Sequence, residues 1–412
     1  MSKNTLEKVY SEGTIDFQKK RYAELSDGFE KIFGIKAERF FSAPGRTEVC
    51  GNHTDHQNGK VLAAGVSLDV IAAVVPTNDG TVQIKSKGYP MDTIDLSDLD
   101  IKSKEKNTSK ALIRGVLRGF SDRGYKIGGF KAYTVSNVLK GSGLSSSAAF
   151  EVLVGAIING IYNEGSVNDV KIAKIAQFAE NVYFGKPSGL MDQMASSVGN
   201  FISIDFKDPK NPVIKAIDFN FKTSGHALCI IDTKGNHANL TPEYAAIPKE
   251  MKEIAGFFNA QVLRQISKES IMNNYAELRK KFGDRAVLRA LHFMDCNDRV
   301  DKESKALENN NFDEFLSIVN QSGDSSYKYL QNIFASSSPK EQGLSSALYI
   351  AKDILREKGA CRVHGGGFAG TIQAFVPNEM LKEFKTKIEA VFGEGSCYVL
   401  DIRPVGGTEI EL

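Results

Sequence analysis

Cysteine is scarce in this 412-residue chain: Cys50, Cys229, Cys296, Cys361 and Cys397 are scattered, odd in number and never spaced as C-x-x-C. That argues against a disulfide framework and a cysteine-based zinc site, and suits reduced thiols in a cytoplasmic protein. An excess of one charge is equally lacking. Lys and Arg number 52 against 50 Asp and Glu, so no basic stripe recommends nucleic acid as a partner. No window approaches the uninterrupted apolar length that spans a bilayer, and the opening "MSKNTLEKVYSEG" lacks the apolar core of a signal peptide. Repeats of fixed period and low-complexity tracts are missing too. What is present is ordinary globular composition, 42% hydrophobic and 25% charged. The length exceeds what one core usually supports, which predicts two domains.

Apolar periodicity predicts how the elements succeed one another. Residues 5–33 read as a charged helix with a modest apolar stripe. "VSLDVIAAVVP" and "GTVQIKS" read as adjacent strands joined by the turn "TNDG". "SKEKNTSK" reads as a solvated loop ahead of a helix, and "GFKAYTVSNVL" as a strand. "SVNDVKIAKIAQFAENVYFG" is an amphipathic helix with Ile172, Ile175, Ala176 and Ala179 on one face, opened by a Ser166–Asp169 capping box. A composition change over residues 207–220 suggests domains of 1–212 and 213–412. In the second half, residues 241–315 read as mostly helical, and "CRVHGGGFAGTIQAFVP" as strand, glycine turn and strand. Helices and strands interleave without a regular βαβ period, so the fold class is α+β.

The most telling local stretch is "VLKGSGLSSSAAFEVLV", residues 138–154. Gly141 and Gly143 allow a tight turn with no Cβ between backbone and ligand. The helix that starts near Ser146 presents unpaired amides and a partial positive charge to the same space. Ser145, Ser146 and Ser147 add hydroxyls for phosphate oxygens or a divalent cation. Neither a Walker lysine nor the third glycine of a dinucleotide fingerprint is present. A phosphate cradle and a simple cap-and-turn both suit these residues.

A second concentration lies in "APGRTEVCGNHTDHQNGKVLAAGV", with Arg46, Glu48, Asn52, His53, Asp55 and His56 between apolar stretches. A hydroxyl-rich ligand, a zinc site on His53 and His56, and a solvated polar turn are the competing readings; the spacing matches no standard zinc site. Asp192, in the first turn of its helix, either complements the dipole or, aimed by a cation such as Arg46, acts chemically. Glu180 is either a surface residue or a metal ligand. "HGGGFAG", residues 364–370, is either a bulged hairpin or a close approach to a ligand.

Together these stretches resemble the GHMP small-molecule kinases, and within them the galactokinases. "GRTEVCGNHTDHQNGKVL" is similar to the N-terminal signature, "GSGLSSSAAFEV" to the nucleotide loop and "GGGFAG" to the C-terminal glycine motif. "GLMDQMAS", "LTPEYAAIPKEM" and "RALHFMDCNDRV" extend the likeness from about residue 36 to the C-terminus. The resemblance implies a two-domain GHMP kinase fold, a mixed-sheet N-terminal domain and a C-terminal domain with an antiparallel sheet. It implies phosphoryl transfer from ATP with Mg²⁺ to the anomeric hydroxyl of galactose. Asp192 would take the hydroxyl proton and Arg46 stabilise the transferred group. Ser147 and Glu180 would hold Mg²⁺, and Gly141, Ser142, Gly143, Leu144, Ser145, Ser146 and Ser147 would cradle the phosphates. Ser86 would lie near the nucleotide; Asn52, His53, Thr54, Asp55 and Tyr244 would meet the sugar. The partners are then a small sugar and ATP, with no nucleic acid, membrane or obligatory protein partner.

Four departures stand out. The resembling kinases usually carry glutamate at Asn52 and tyrosine at His56, within Gly-Glu-His-Thr-Asp-Tyr. They also carry Arg-Val-Asn where this chain has "RTE", which brings in Glu48. His364 stands where threonine is common. A neutral amide at 52 keeps galacturonate or another modified galactose such as N-acetylgalactosamine open as substrate. A non-catalytic sugar and ATP sensor is a rival from another class; a serine hydrolase, suggested by the serine-rich loop, lacks the Gly-x-Ser-x-Gly elbow.

Overall fold

The computed structural model describes residues 3–138, 143–235 and 240–412. The strands, in chain order, are β1 (Arg39–Cys50), β2 (Lys60–Thr77), β3 (Thr81–Ser86), β4 (Met91–Asp95), β5 (Gly129–Ser136), β6 (Phe201–Asp205) and β7 (Val213–Ile217). They continue as β8 (His226–Asp232), β9 (Ala360–His364), β10 (Thr371–Pro377), β11 (Cys397–Leu400) and β12 (Thr408–Glu411). The helices that matter here are α1 (Ile15–Phe33), α2 (Ser109–Ser121), α3 (Ser146–Tyr162), α4 (Asp169–Phe178), α5 (Met191–Val198), α6 (Thr241–Phe257) and α7 (Asp284–Glu308). Among the described residues no helix is long and apolar enough to cross a membrane.

β2 is the hub, since its near-continuous apolar run is buried on both faces. Ile71, Ala73 and Val75 pack under Tyr22, Leu25 and Phe29 of α1, while Val70, Ala72 and Val74 join the main core with α3. The first sheet runs β12-β1-β2-β5-β3-β4, with β6 and β7 added along the start of β2 and the short strand Asn4–Thr5 outside β12. The second, all antiparallel, runs β9-β10-β8-β11. A mixed sheet beside an antiparallel one, both covered by helices, is the expected α+β class.

Three details differ from the expectation. β2 and β3 do not pair, because β5 lies between them, antiparallel to one and parallel to the other. Gly129 makes room for it: a Cβ there would sit 2.7 Å from both Thr77 Oγ1 and Thr81 O. Helix α4 is capped by Asn168, whose side chain accepts from Lys171 N at 2.9 Å, and not by Ser166. The division expected after residue 212 is crossed twice, since β7 (213–217) and the final strand β12 both pair in the first sheet.

The main core itself runs from Phe41, Val74 and Val152 to Leu228, Phe375 and Leu400, joining the two sheets. A buried ion cluster ties the ends together. Asp69 on β2 meets Arg21 at 2.9 Å and Arg403 at 3.1 Å, with Ser42 Oγ donating to it at 2.6 Å. Its amide also donates to Asn137 Oδ1 at 2.6 Å, pinning the end of β5 ahead of the Gly/Ser loop.

Candidate active site

Strand β1 and helix α5 meet at the N-terminus of α3, bringing together Arg46 and Asp192. Arg46 Nε and Nη2 each lie 2.7 Å from Asp192 Oδ1, and Ser145 Oγ donates to Oδ2 at 2.7 Å. The Gly/Ser loop wraps the arginine: Gly143 O accepts from Nη1, and Leu144 O accepts from the Arg46 amide at 3.0 Å. Gly143 holds φ at +74°, and a Cβ there would come within 3.2 Å of the His364 ring from β9. His364 in turn meets Thr371 Oγ1 through Nδ1 at 3.0 Å, so the second sheet buttresses the loop. Gly141 and Ser142 lie outside the described residues.

Burial pushes the Asp192 carboxyl up, but the Arg46 charge and the hydrogen bonds from Arg46 and Ser145 outweigh it. The net direction is below the usual carboxylate range, so Asp192 is an aimed carboxylate at neutral pH.

Glu180 occupies a π-helical turn, Ala179–Phe184, that continues α4. Such turns interrupt regular helices most often at functional sites. Its Oε1 accepts from Ser147 Oγ at 3.0 Å and Lys186 Nζ at 2.9 Å; its Oε2 accepts from Ser188 Oγ at 2.6 Å and Gln193 Nε2 at 2.8 Å. A hard divalent cation such as Mg²⁺ prefers few protein oxygens together with water and phosphate. The Ser147 hydroxyl and Glu180 carboxylate fit it, and the Lys186 ammonium already sits against that carboxylate. Among the described residues no group of three His, Cys, Asp or Glu side chains is arranged to hold a metal ion.

A cavity of 670 Å³ opens beside Ser146 and Ser147 and is lined by Ser86, Tyr89, Asn107 and Phe150 among others. Its size suits a nucleoside. On the other side lies the glycine turn after β9, whose successive carbonyls meet the remaining expected residues. Gly365 O accepts from Asn52 Nδ2 at 2.7 Å, Gly366 O contacts His53 Nε2 at 2.9 Å, and Gly367 O accepts from Tyr244 Oη at 2.8 Å.

His53 is held neutral, its pKa pushed down to about 4 by burial and by its neighbour His56. The proton therefore sits on Nε2, and Nδ1 keeps a lone pair. Asp55 lies against Gly189, on the turn leading to Asp192. Asn52 and Thr54 face inward, at 1% and 0% exposure. Thr54 Oγ1 lies 2.8 Å from Gly51 O and 2.6 Å from Lys60 O, and so serves its own turn. Glu48 Oε1 accepts from Asn52 Nδ2 at 3.1 Å, with the Arg362 guanidinium 3.6 Å away.

This geometry coincides with two family matches. The galactokinase galactose-binding signature matches residues 27–76, and the N-terminal domain of GHMP kinases matches residues 111–200. Over these residues the chain is similar to the GHMP kinases, and within them to the galactokinases. The galactokinase of Clostridium tetani is 29% identical over 381 residues, spanning 89% of this chain and 91% of that protein. That of Streptomyces coelicolor is 29% identical over 357 residues, spanning 84% and 87%. Among solved structures, Lactococcus lactis galactokinase complexed with galactose shares the fold at a TM-score of 0.78 and 23% identity, over 94% of this chain and 99% of that one. A mevalonate kinase shares it at 0.64 and 15%, over 89% and 99%.

Several residues at this site go unseen in the sequence. Asn107 lies in the segment read as a solvated loop, yet it lines the cavity. Asn332 Nδ2 donates to Asn52 Oδ1 at 2.7 Å and to Gly366 O at 3.0 Å from far along the chain. Glu151 was hidden in an apolar helix, where a lone acidic residue in "AAFEVLVGAII" was the available signal.

Proposed function

We propose that this protein transfers the γ-phosphoryl group of ATP to the anomeric hydroxyl of galactose, giving galactose 1-phosphate. The observation that carries the reading is the Arg46–Asp192–Ser145 constellation at the N-terminus of α3. The nucleoside-sized cavity lies on one side of it and the glycine turn on the other.

Asp192 accepts the proton of the C1 hydroxyl. Its depressed pKa makes it a weak base, which suffices because an anomeric hydroxyl is more acidic than an ordinary alcohol and the transfer is loose, dominated by positioning and charge. Arg46 has five donors in a planar fork, so it can keep Asp192 aimed while binding an oxygen of the moving phosphoryl group.

Residues Gly141 to Ser147 cradle the phosphates, and Ser86 borders the nucleoside. Ser147 and Glu180 would hold Mg²⁺, which supplies neutralisation of the triphosphate charge. His53 accepts from a sugar hydroxyl through Nδ1, and Asp55 accepts another. Tyr244 flanks the sugar, while Asn52 and Thr54 shape the turn that carries these groups. The opening for a uronate that Asn52 alone suggests is offset by Glu48, whose carboxylate sits on the Asn52 amide.

The test is an ADP-release screen over galactose, galacturonate, N-acetylgalactosamine, glucose and arabinose. Galactose-dependent release supports the reading. Binding of sugar and nucleotide without release would make the protein a sensor, and release with galacturonate in preference would reassign the sugar.

A further inference from the structure

Behind the Arg46–Asp192 pair lies a buried pair of side chains to which phosphoryl transfer assigns no role. Glu151, one turn after Ser147 on α3, is 0% exposed. Its Oε2 accepts from Gln193 Nε2 at 3.1 Å, and that same nitrogen donates to Glu180 Oε2 at 2.8 Å. A primary amide has two hydrogens, so one goes to each carboxyl. The other oxygens of the first pair, Glu151 Oε1 and Gln193 Oε1, are both buried, with no hydrogen-bond partner among the described residues. Two dry acceptors without donors are costly, and a hydrogen on one of them removes the cost.

We infer that Glu151 is a neutral carboxylic acid that clamps Gln193 in a two-bond acid–amide ring, and that this ring is a positioning device for the carboxylate of Glu180. In the ring, Glu151 Oε1–H donates to Gln193 Oε1 while Gln193 Nε2 donates to Glu151 Oε2. The second hydrogen of Nε2 is then fixed on Glu180 Oε2. Together with the Ser188 hydroxyl it holds that oxygen, leaving Oε1 turned to Ser147. Burial, reinforced by the Glu180 charge, pushes the Glu151 carboxyl well above the usual range, the direction that such a ring requires. Gln193 adjoins Asp192, so one amide orients the cation-binding carboxylate beside the residue that accepts the proton.

The inference rests on the kinase reading for the use made of Glu180, and the experiment separates the two. Mn²⁺ is titrated into the full chain with a non-hydrolysable ATP analogue, free Mn²⁺ being counted by electron paramagnetic resonance. Glu151→Leu should weaken Mn²⁺ binding about tenfold or more, whereas Glu151→Gln, whose amide keeps both ring bonds, should stay within about twofold of wild type. Infrared spectra at neutral pH give a second readout that does not depend on the leucine variant folding. The wild-type spectrum minus that of Glu151→Gln should show the carbonyl stretch of an un-ionised carboxylic acid; Glu303, a second buried carboxyl pushed up to about 8, contributes to both spectra and cancels. Mn²⁺ affinity unchanged in Glu151→Leu, or no such band in the difference spectrum, overturns the inference. If wild type binds neither analogue nor Mn²⁺, the kinase reading fails, and the infrared band alone decides the ring.

Discussion

Replacing Asn52 by glutamate gives this chain the residue that the resembling kinases carry, and it should destabilise the protein. Asn52 is buried, its Nδ2 donating to Gly365 O at 2.7 Å and to Glu48 Oε1 at 3.1 Å, its Oδ1 accepting from Asn332. A carboxylate can keep only the last of these bonds. The Gly365 carbonyl, left without its donor, costs about 1–3 kcal/mol. Two carboxyl groups at hydrogen-bond distance also cannot both ionise freely; holding one protonated adds roughly 2–4 kcal/mol at neutral pH.

Allowing for partial relaxation, a loss of about 4–6 kcal/mol is expected, a large share of a typical domain's stability. Adding Glu48→Asn exchanges carboxylate and amide across the same contact and should recover most of it. Urea unfolding of wild type, both single variants and the double variant gives the coupling directly, provided the slopes stay equal. A loss below about 1 kcal/mol in Asn52→Glu, or no recovery in the double variant, refutes the reasoning.

Asp192→Asn keeps an acceptor for Arg46, so nucleotide binding measured by calorimetry should persist while ADP release falls about 10²–10⁴-fold; turnover within about tenfold of wild type removes Asp192 as the base. His53 takes up a proton at about 4 when folded against 6.5 for the free side chain, so the unfolded chain binds more protons between those values. Its contribution is therefore full above pH 6.5 and is lost as pH falls towards 4, at up to about 1.4 kcal/mol per pH unit. Melting temperatures should drop more steeply over that window in wild type than in His53→Gln, and equal slopes contradict the assignment. Asp69→Ala strands Arg21 and Arg403 in the interior and should cost about 3–5 kcal/mol in urea unfolding, with a loss under about 1 kcal/mol counting against the ion cluster.

Residues whose roles follow from local chemistry were legible in the sequence. Ser145 to Ser147 at a helix start, Arg46, Asp192 and the glycine turn all announce themselves by type and spacing, and the structure brings them into one place. Pairings decided by distant backbone were not. Nothing in "TNDG" says that β5 will enter between β2 and β3, because that depends on a missing Cβ at Gly129, some fifty residues on. Ser166 and Asn168 are both competent caps, and which one serves depends on where α4 packs. Glu151 illustrates a different limit. Its spacing from Ser147 places both on one face of α3, yet the partner that gives it meaning, Gln193, belongs to another helix.

Glu48 and Asn52 show what the structure adds to a comparison of patterns. Read along the chain they are two independent departures, an acid gained and an acid lost. Joined at 3.1 Å, they are one exchange that conserves charge and total side-chain length. The exchange also has a direction. Gly365 O points at position 52, and only a donor can meet a carbonyl there, so an amide at 52 fixes that face of the glycine turn. The following carbonyls are then met in sequence by His53 and Tyr244. Immediately ahead of the turn, His364 packs on Gly143, whose carbonyl accepts from Arg46. A change at two positions four residues apart, one on β1 and one in the turn after it, is thus linked to Arg46 through the second sheet, a route along which neither residue alone would draw attention.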